Sequence, residues 1–405
     1  MKVLYIDHYA GSPTLGMEFR PHLMAQEWAR SGVETTLLAG SYSHLRKVNP
    51  TVTRTGEEQV IDGVPFRFIK TREYEGNGAQ RVVSMVEFVG KGLRDASSIA
   101  KVTRPDAVIA SSTYPFDTYL AQRIAKIAGA RLVHEIHDLW PLTPQELGGY
   151  SDKHPFIATM AAAEKSAYRN SDVIVSILPN AEEHVRSLGI TTPVVNVPNG
   201  VQLDREPGPA DEAVVALVTR LQAQGNDVIS YAGGLSVSNA MDDLVEAMAL
   251  LKDEPVAAVV IGDGVDRGAL EARAAELGLD KVFFVGSIPK AAVHNTLSAM
   301  DGLYIGSEKS RLYRYGFSAN KIFDYMLTGL PIVDALDSEH TPLAYAGCSV
   351  RAAAKQPADI ARAIREVVAL DPTQRGRIRA TETAYVREHH AYDKLAADFL
   401  AALKG

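Results

Sequence analysis

The segment Gly306–Pro331, GSEKSRLYRYGFSANKIFDYMLTGLP, concentrates groups suited to holding an anion. It carries Lys309, Arg311 and Arg314, then the small residues Gly316, Ser318 and Ala319 ahead of Asn320. A helical pattern follows, with Ile322, Phe323, Tyr325, Met326 and Leu327 apolar and Lys321 and Asp324 among them. Gly329 ends the expected helix, and Pro331 starts the next segment. A helix N-terminus exposes unpaired N–H groups and a partial positive charge, so it suits a phosphate. Asp324 falls about one turn in, where a carboxylate can accept hydrogen bonds from sugar hydroxyls. Cations, amides and one carboxylate together fit a sugar nucleotide better than a bare anion.

Two further stretches have the same character. The expected strand Val228–Ala232 leads into GGLSVSNAMDDL, where Gly233 and Gly234 precede a helix expected over Asn239–Leu251. Glycines at a strand end ahead of a helix are again favourable to phosphate. The expected strand Arg131–Ile136 exits directly into His137, Asp138 and Trp140. Ligands bind at strand C-termini in parallel α/β sheets, which gives His137 a functional reading; His134 reads as structural. Asp138 can orient His137 or cap the following turn, and Glu146 and Tyr150 are weaker candidates on the acceptor side.

The elements that must carry these residues alternate. Lys2–Ile6 reads as a buried strand, followed by the loop HYAGSPTLGMEFR with Gly16, a helix over Met17–Arg30 and a strand over Val33–Leu38. A hairpin is expected over Gln59–Lys70 with Asp62-Gly63 as its turn, and an apolar-rich helix over Gln80–Val102. Strands at Asp106–Ala110, Val173–Ile177 and Val194–Val197, with helices at Pro115–Ala128 and Pro155–Arg169, complete a doubly wound parallel sheet. The polar LDREPGPADE reads as an interdomain linker, and Ala213–Gln224 as an amphipathic helix on the second domain. Strands at Val256–Ile261, Val282–Val285, Asp301–Ile305 and Ile332–Ala335 give that domain its own sheet. Helices are expected near Arg267–Leu277 and at Ala358–Val368, Pro372–Tyr385 and Tyr392–Leu403.

GFSANKIFDYMLTGLPIV resembles the donor-binding segment of glycosyltransferase family 4, enzymes of the GT-B fold, and in particular the bacterial branch that builds O-antigen, capsule and other surface glycans. HDLWP is similar to that family's segment after the fourth strand, and His137 aligns with its active-site histidine. The resemblance implies an α/β GT-B chain of two Rossmann-like domains facing a cleft. Residues 1–203 would form the acceptor-side domain and 204–385 the donor-binding domain, with 386–405 packing back on the first. It implies retaining transfer of a hexose, deoxy or N-acetylated among the options, from a UDP-sugar to a glycan or lipid-linked acceptor. By the same resemblance, Asp324 meets the donor ribose, and the backbone of Gly286-Ser287-Ile288-Pro289 meets the base. The loop with Gly16 reaches towards the donor phosphates, and His137 lies beside the donor hexose. The family's first motif glutamate falls on Gly316 here, and its usual Arg and Lys phosphate clamps fall on Gly234 and Asn239. The diphosphate charge is therefore expected to meet Lys321 with Arg311 or Arg314, since phosphate sites need cations.

Composition narrows the classes. A chain of 405 residues suggests two domains, and 46% apolar with 22% charged residues is ordinary for a globular protein. A net charge of −7 argues against nucleic acid as partner. No GxGxxG or GxxxxGK[ST] occurs, against NAD and ATP as main ligands, and there is no DxD or metal-ligand spacing. No cofactor is expected beyond the nucleotide sugar itself. Cys348 reads as a small buried residue, and with no signal-peptide pattern and no long apolar run a cytoplasmic placement is expected. Between Arg67 and Arg104 basic side chains outnumber acidic ones, so contact of this face with an anionic membrane is weighed against a core-packed helix with a solvated basic side, and the latter is preferred. The competing functions are a GT-B nucleotide-sugar epimerase and a catalytically silent nucleotide-sugar-binding subunit.

Overall fold

The computed structural model describes residues 1–16, 19–76, 78–204 and 206–405. The expected helix start at Met17 and the linker's Arg205 lie outside the described residues. The chain forms two compact units, Met1–Asn199 with Tyr392–Gly405, and Gly200–Ala391.

The first unit is built on an eight-stranded sheet of β1 (Lys2–Ile6), β2 (Glu34–Gly40), β3 (Glu57–Ile61), β4 (Val64–Ile69), β5 (Ala107–Ala110), β6 (Arg131–Ile136), β7 (Val173–Ser176) and β8 (Val194–Asn196). Their spatial order is β3-β4-β2-β1-β5-β6-β7-β8. All neighbours are parallel except β3 and β4, which pair antiparallel through the Asp62-Gly63 turn. Both turn residues have positive φ, 47° and 82°, the backbone that an Asp-Gly hairpin turn requires. Side chains on a strand alternate between faces, which sorts β1. Val3 and Tyr5 join Trp28, Phe66, Phe68 and Phe399 under the helices Arg20–Arg30 and Tyr392–Lys404. Leu4 and Ile6 join Phe88, Tyr114 and Ile124 under the helices Ala79–Thr103 and Asp117–Ala128. Trp28 Nε1 donates to Ala396 O at 2.8 Å, fastening the C-terminal helix to this unit. Burying large apolar side chains on both faces is the main stabilisation; each contributes about 1.5–3 kcal/mol.

The second unit has a six-stranded, all-parallel sheet: β9 (Asp227–Ala232), β10 (Val256–Ile261), β11 (Val282–Val285), β12 (Gly302–Gly306), β13 (Ile332–Ala335) and β14 (Val350–Arg351), in the order β11-β10-β9-β12-β13-β14. Its strands are almost continuously apolar, as a sheet covered on both faces demands. The helix Glu212–Ala223, capped by Asp211 Oδ1 accepting from Val214 N at 3.1 Å, buries Val214, Val218 and Leu221 here.

Several boundaries differ from the sequence expectation. The helix after Gly233-Gly234 starts at Met241 and not at Asn239, because Ala240 takes a left-handed φ of 45° and Asn239 ends a short 3-10 turn. The helix Pro372–His389 runs past Tyr385. Short helices at Leu142–Gly148, Ala181–Ser187, Val293–Leu297 and Pro342–Ala346 have too few turns to display a period. The helix Ala79–Thr103 is buried on one side through Met85, Phe88, Val89, Ala96 and Ile99, while Val83, Val86, Leu93 and Val102 are exposed. Among the described residues no helix is long and apolar enough to cross a membrane.

Candidate functional site

Each sheet reverses its winding at one place, and the loops leaving the strands there form a crevice suited to a ligand. In the second unit that place is between β9 and β12. The loop after β9 begins with Gly233 and Gly234, and the chain after β12 runs to the helix Asn320–Thr328.

Lys321, in the first turn of that helix, joins the two. Its Nζ donates to Tyr231 Oη at 2.7 Å and to Asn239 Oδ1, and lies 4.6 Å from the centre of the Tyr231 ring. A Cβ on Gly233 would come within 3.0 Å of this Nζ and 2.8 Å of Tyr231 Oη, so glycine is needed for the close approach. Burial lowers the Lys321 pKa from 10.5 to about 8. The residue as a whole is half-buried; its ammonium end is the deep part. Among the described residues all its hydrogen-bond partners are neutral, and no carboxylate there balances the desolvated cation.

The surrounding backbone is tightly packed. Gly262 and Gly264, flanking Asp263, approach so close that a Cβ on either would overlap Gly233 O or Leu235 O. Gly233 N donates to Ile261 O and Leu235 N to Asp263 O, both at 2.9 Å. Gly234 N–H, between them, has no partner among the described residues. The helix Asn320–Thr328 starts at Ala319 in an extended conformation, and this N-cap residue makes no side-chain cap. Ser318, just before it, is buried, and Asn320 is exposed.

One helical turn after Lys321, Asp324 forms an ion pair with Lys290, the residue that follows Gly286-Ser287-Ile288-Pro289. That four-residue loop leaves β11 exposed apart from Ile288, which packs on the core. Burial lowers the pKa of His294, and the Asp324 charge opposes it. The structure thus gathers the glycine loop, Lys321, Asp324 and the segment after β11 along one side of one unit.

The other candidates of this unit lie differently. Arg311 and Arg314 are exposed on the 3-10 helix Arg311–Tyr315, with Arg314 stacked 5.0 Å from the centre of the Tyr315 ring. Lys321 is the candidate cation that is seated against the glycine loop. Gly316 has φ 113° and ψ 171°, a backbone that L residues rarely adopt, so a glutamate would be strained there. Cys348 is half-buried, its thiol pushed up to about 12 by burial and the neighbouring Glu382. Among the described residues no group of three or more His, Cys, Asp or Glu is placed to hold a metal ion.

In the first unit the winding reverses between β1 and β5, with β6 alongside. His137 stands just past β6. Its Nε2 lies 2.8 Å from Ser111 Oγ and 3.2 Å from Glu135 Oε2. Glu135 is fully buried and also accepts from Arg20 Nε at 2.8 Å, from Ser111 Oγ at 2.6 Å and from Tyr5 Oη. Arg20 in turn donates to Pro198 O at 2.6 Å and Val197 O at 2.7 Å. Burial opposes charging of His137, but the Glu135 charge and hydrogen bond outweigh it and hold the pKa up at about 8. Burial also opposes the Glu135 charge, yet Arg20 and His137 keep that carboxyl well below its usual range. Asp138 is exposed, Glu146 is half-buried and Tyr150 is exposed, its ring 5.2 Å from His154. Gly16 has φ 82° and packs on Lys47, its N donating to Ser12 O at 2.7 Å.

Sequence reasoning missed Glu135, Arg20, Tyr231 and Lys290. Strand alternation could have flagged Glu135, because a charge inside a short apolar strand needs a buried partner. Tyr231 reads as one more apolar residue of β9, and nothing in its spacing marks its hydroxyl.

Comparison with known proteins bears on the family and the fold. A family model described as "Glycosyl transferase 4-like domain" matches residues 16–200, and one described as "Glycosyl transferases group 1" matches residues 226–369. The chain is 28% identical over 185 residues to WcaI of Escherichia coli (strain K12), named as a colanic acid biosynthesis glycosyl transferase; this covers 45% of this chain and 46% of that one. It is 29% identical over 223 residues to 2-deoxystreptamine glucosyltransferase of Streptomyces kanamyceticus, covering 53% and 55%. The chain spans about half the length of the curated relatives it matches. Among solved structures, sucrose-phosphate synthase from Thermosynechococcus elongatus superposes with a TM-score of 0.76 at 15% identity, over 100% of this chain and 98% of that one. Anabaena HepE in complex with UDP and glucose superposes with a TM-score of 0.68 at 16% identity, over 100% and 99%. These distant likenesses show the fold, GT-B, with its two parallel-sheet domains.

Proposed function

We propose that this chain, which belongs to the glycosyltransferase family 4 group of GT-B enzymes, moves a hexose from a UDP-sugar to a hydroxyl of a glycan or lipid-linked acceptor, with retention at the anomeric carbon. The observation that carries this reading is the buried Lys321 ammonium with only neutral partners, set against Gly233. Such a cation gains most from a dianionic group arriving in the same low-dielectric pocket. Gly234 N–H, unpartnered among the described residues, and the helix start at Ala319, whose side chain cannot cap it, add donors of the right kind. Asp324 suits the ribose hydroxyls once it exchanges its partner Lys290 for them. Uridine is the preferred base; HepE, of the same fold, carries UDP or UDP-glucose in its complexes. The relative named for colanic acid biosynthesis favours a role in bacterial surface polysaccharide.

The hard event is departure of the nucleotide diphosphate. Lys321 and the amides around it stabilise the charge that develops on the leaving group. Removing one such donor typically lowers a rate by about 10²–10³. His137 serves at the sugar. The test is to incubate the chain with a panel of UDP-sugars, with and without hydroxyl acceptors, and analyse the products. Acceptor-dependent glycoside and UDP support the proposal. Isomerised donor without acceptor would replace it with an epimerase, and tight donor binding with no product would replace it with a silent binding subunit.

A further inference from the structure

The hydrogen bonds at His137 determine which of its nitrogens carries a proton. Ser111 Oγ gives its single proton to Glu135 Oε2 at 2.6 Å, so towards His137 it can only accept. Glu135, also within reach of Nε2, is a carboxylate and accepts too. Nε2 therefore carries hydrogen. Nδ1 has no partner among the described residues. A neutral His137 would present a lone pair there and act as a base; a charged one presents N–H and donates.

We propose that Glu135 is a positioning residue that fixes His137 as a hydrogen-bond donor through Nδ1, so that the imidazolium stabilises negative charge or a polar oxygen of the bound sugar nucleotide and does not abstract a proton. The proposal rests on the transferase reading for its ligand. Glu135 is itself over-determined, which is what positioning needs: four groups, Arg20, Tyr5, Ser111 and His137, converge on its two oxygens. Arg20 ties the pair to the Val197 and Pro198 carbonyls at the end of the same unit. The charged or titratable groups facing His137 are Tyr5 and Asp7 from β1 and its exit, Arg20 from the helix Arg20–Arg30, Asp117 from the helix Asp117–Ala128, and His134 and Glu135 from β6. Asp7 adds to the support from Glu135, while Arg20 opposes it from behind the carboxylate.

Two measurements test this. The first follows the His137 ring by NMR in the full native chain, assigned with His137→Asn. A midpoint near pH 8, with the proton kept on Nε2 after titration, is expected; a midpoint at or below the ordinary 6.5 overturns the proposal whatever reaction the chain performs. The second compares pH profiles of kcat and KM for sugar transfer by the native chain and Glu135→Gln. The basic limb should move to lower pH, with kcat reduced at least about tenfold at pH 7.5 and largely restored near pH 5.5. A loss equal at every pH would mean Glu135 only holds the fold. Should Glu135→Gln not fold, the titration of the native chain still decides. Should no transfer occur with any donor, the transferase reading fails while the titration stands on its own.

Discussion

Replacing Lys321 by methionine should make the empty protein more stable and its donor binding worse. Methionine keeps the length and apolar stem but removes the ammonium, whose pKa is depressed from 10.5 to about 8 by burial. The sign follows from linkage. Between pH 10.5 and 8 the unfolded chain binds this proton and the folded chain does not, so stability falls as pH drops through that window. Below about pH 8 the full cost of keeping the cation charged is present, roughly 3 kcal/mol by the conversion of 1.36 kcal/mol per pH unit. The variant loses the Tyr231 and Asn239 hydrogen bonds, each about 0.5–1.5 kcal/mol. The net expectation at pH 7 is a gain of about 1 kcal/mol, a rise of a few degrees in melting temperature. With a diphosphate bound, the same ammonium makes charge-assisted bonds of about 1.5–3 kcal/mol, so the dissociation constant for a UDP-sugar should rise ten- to a hundredfold. Thermal melts of the empty protein and calorimetric titration with UDP-glucose measure the two effects. A variant that melts lower and binds the donor as tightly as before would refute the reasoning, since Lys321 would then be a structural pin.

Other sites give independent expectations. Gly233→Ala pushes a methyl group against Tyr231 Oη and Lys321 Nζ; titration with UDP should show at least tenfold weaker binding while circular dichroism is unchanged. If the Asp324 carboxylate, now paired with Lys290, is the ribose ligand proposed above, Asp324→Ala should weaken binding of UDP about tenfold but leave pyrophosphate binding within about twofold. Glu382 is buried against the Cys348 thiol with no other side-chain partner among the described residues, and burial holds its pKa well above the usual range. A raised folded pKa means its contribution to stability is lost as pH rises, so Glu382→Gln should raise the melting temperature at pH 8 by a few degrees and less at pH 5.

The alternation of strands and helices was readable because parallel strands covered on both faces are short apolar runs between turn-forming residues, as at Val256–Ile261, which lies between Pro255 and Gly262. The phosphate-side candidates were readable for a related reason: Gly233-Gly234 and Ser318–Lys321 are local signals at element ends. What was not readable is long-range. Tyr231 and Lys321 are brought together by sheet order, and nothing near either residue encodes that meeting. The same holds for Lys290 and Asp324, and for Arg20 and Glu135, which are joined across the sheet. The expected helix start at Asn239 failed because Ala240 takes a left-handed backbone after a short 3-10 turn, which a periodicity argument does not see.

The central claim is that an ammonium without a counter-charge, beside a glycine loop, is where an activated sugar's diphosphate sits. The most direct measurement is a crystal structure of the chain with UDP-glucose. The account predicts a phosphate oxygen within hydrogen-bonding distance of Lys321 Nζ and Gly234 N, with the ribose on Asp324. A diphosphate bound elsewhere, with Lys321 still held only by Tyr231 and Asn239, would contradict it.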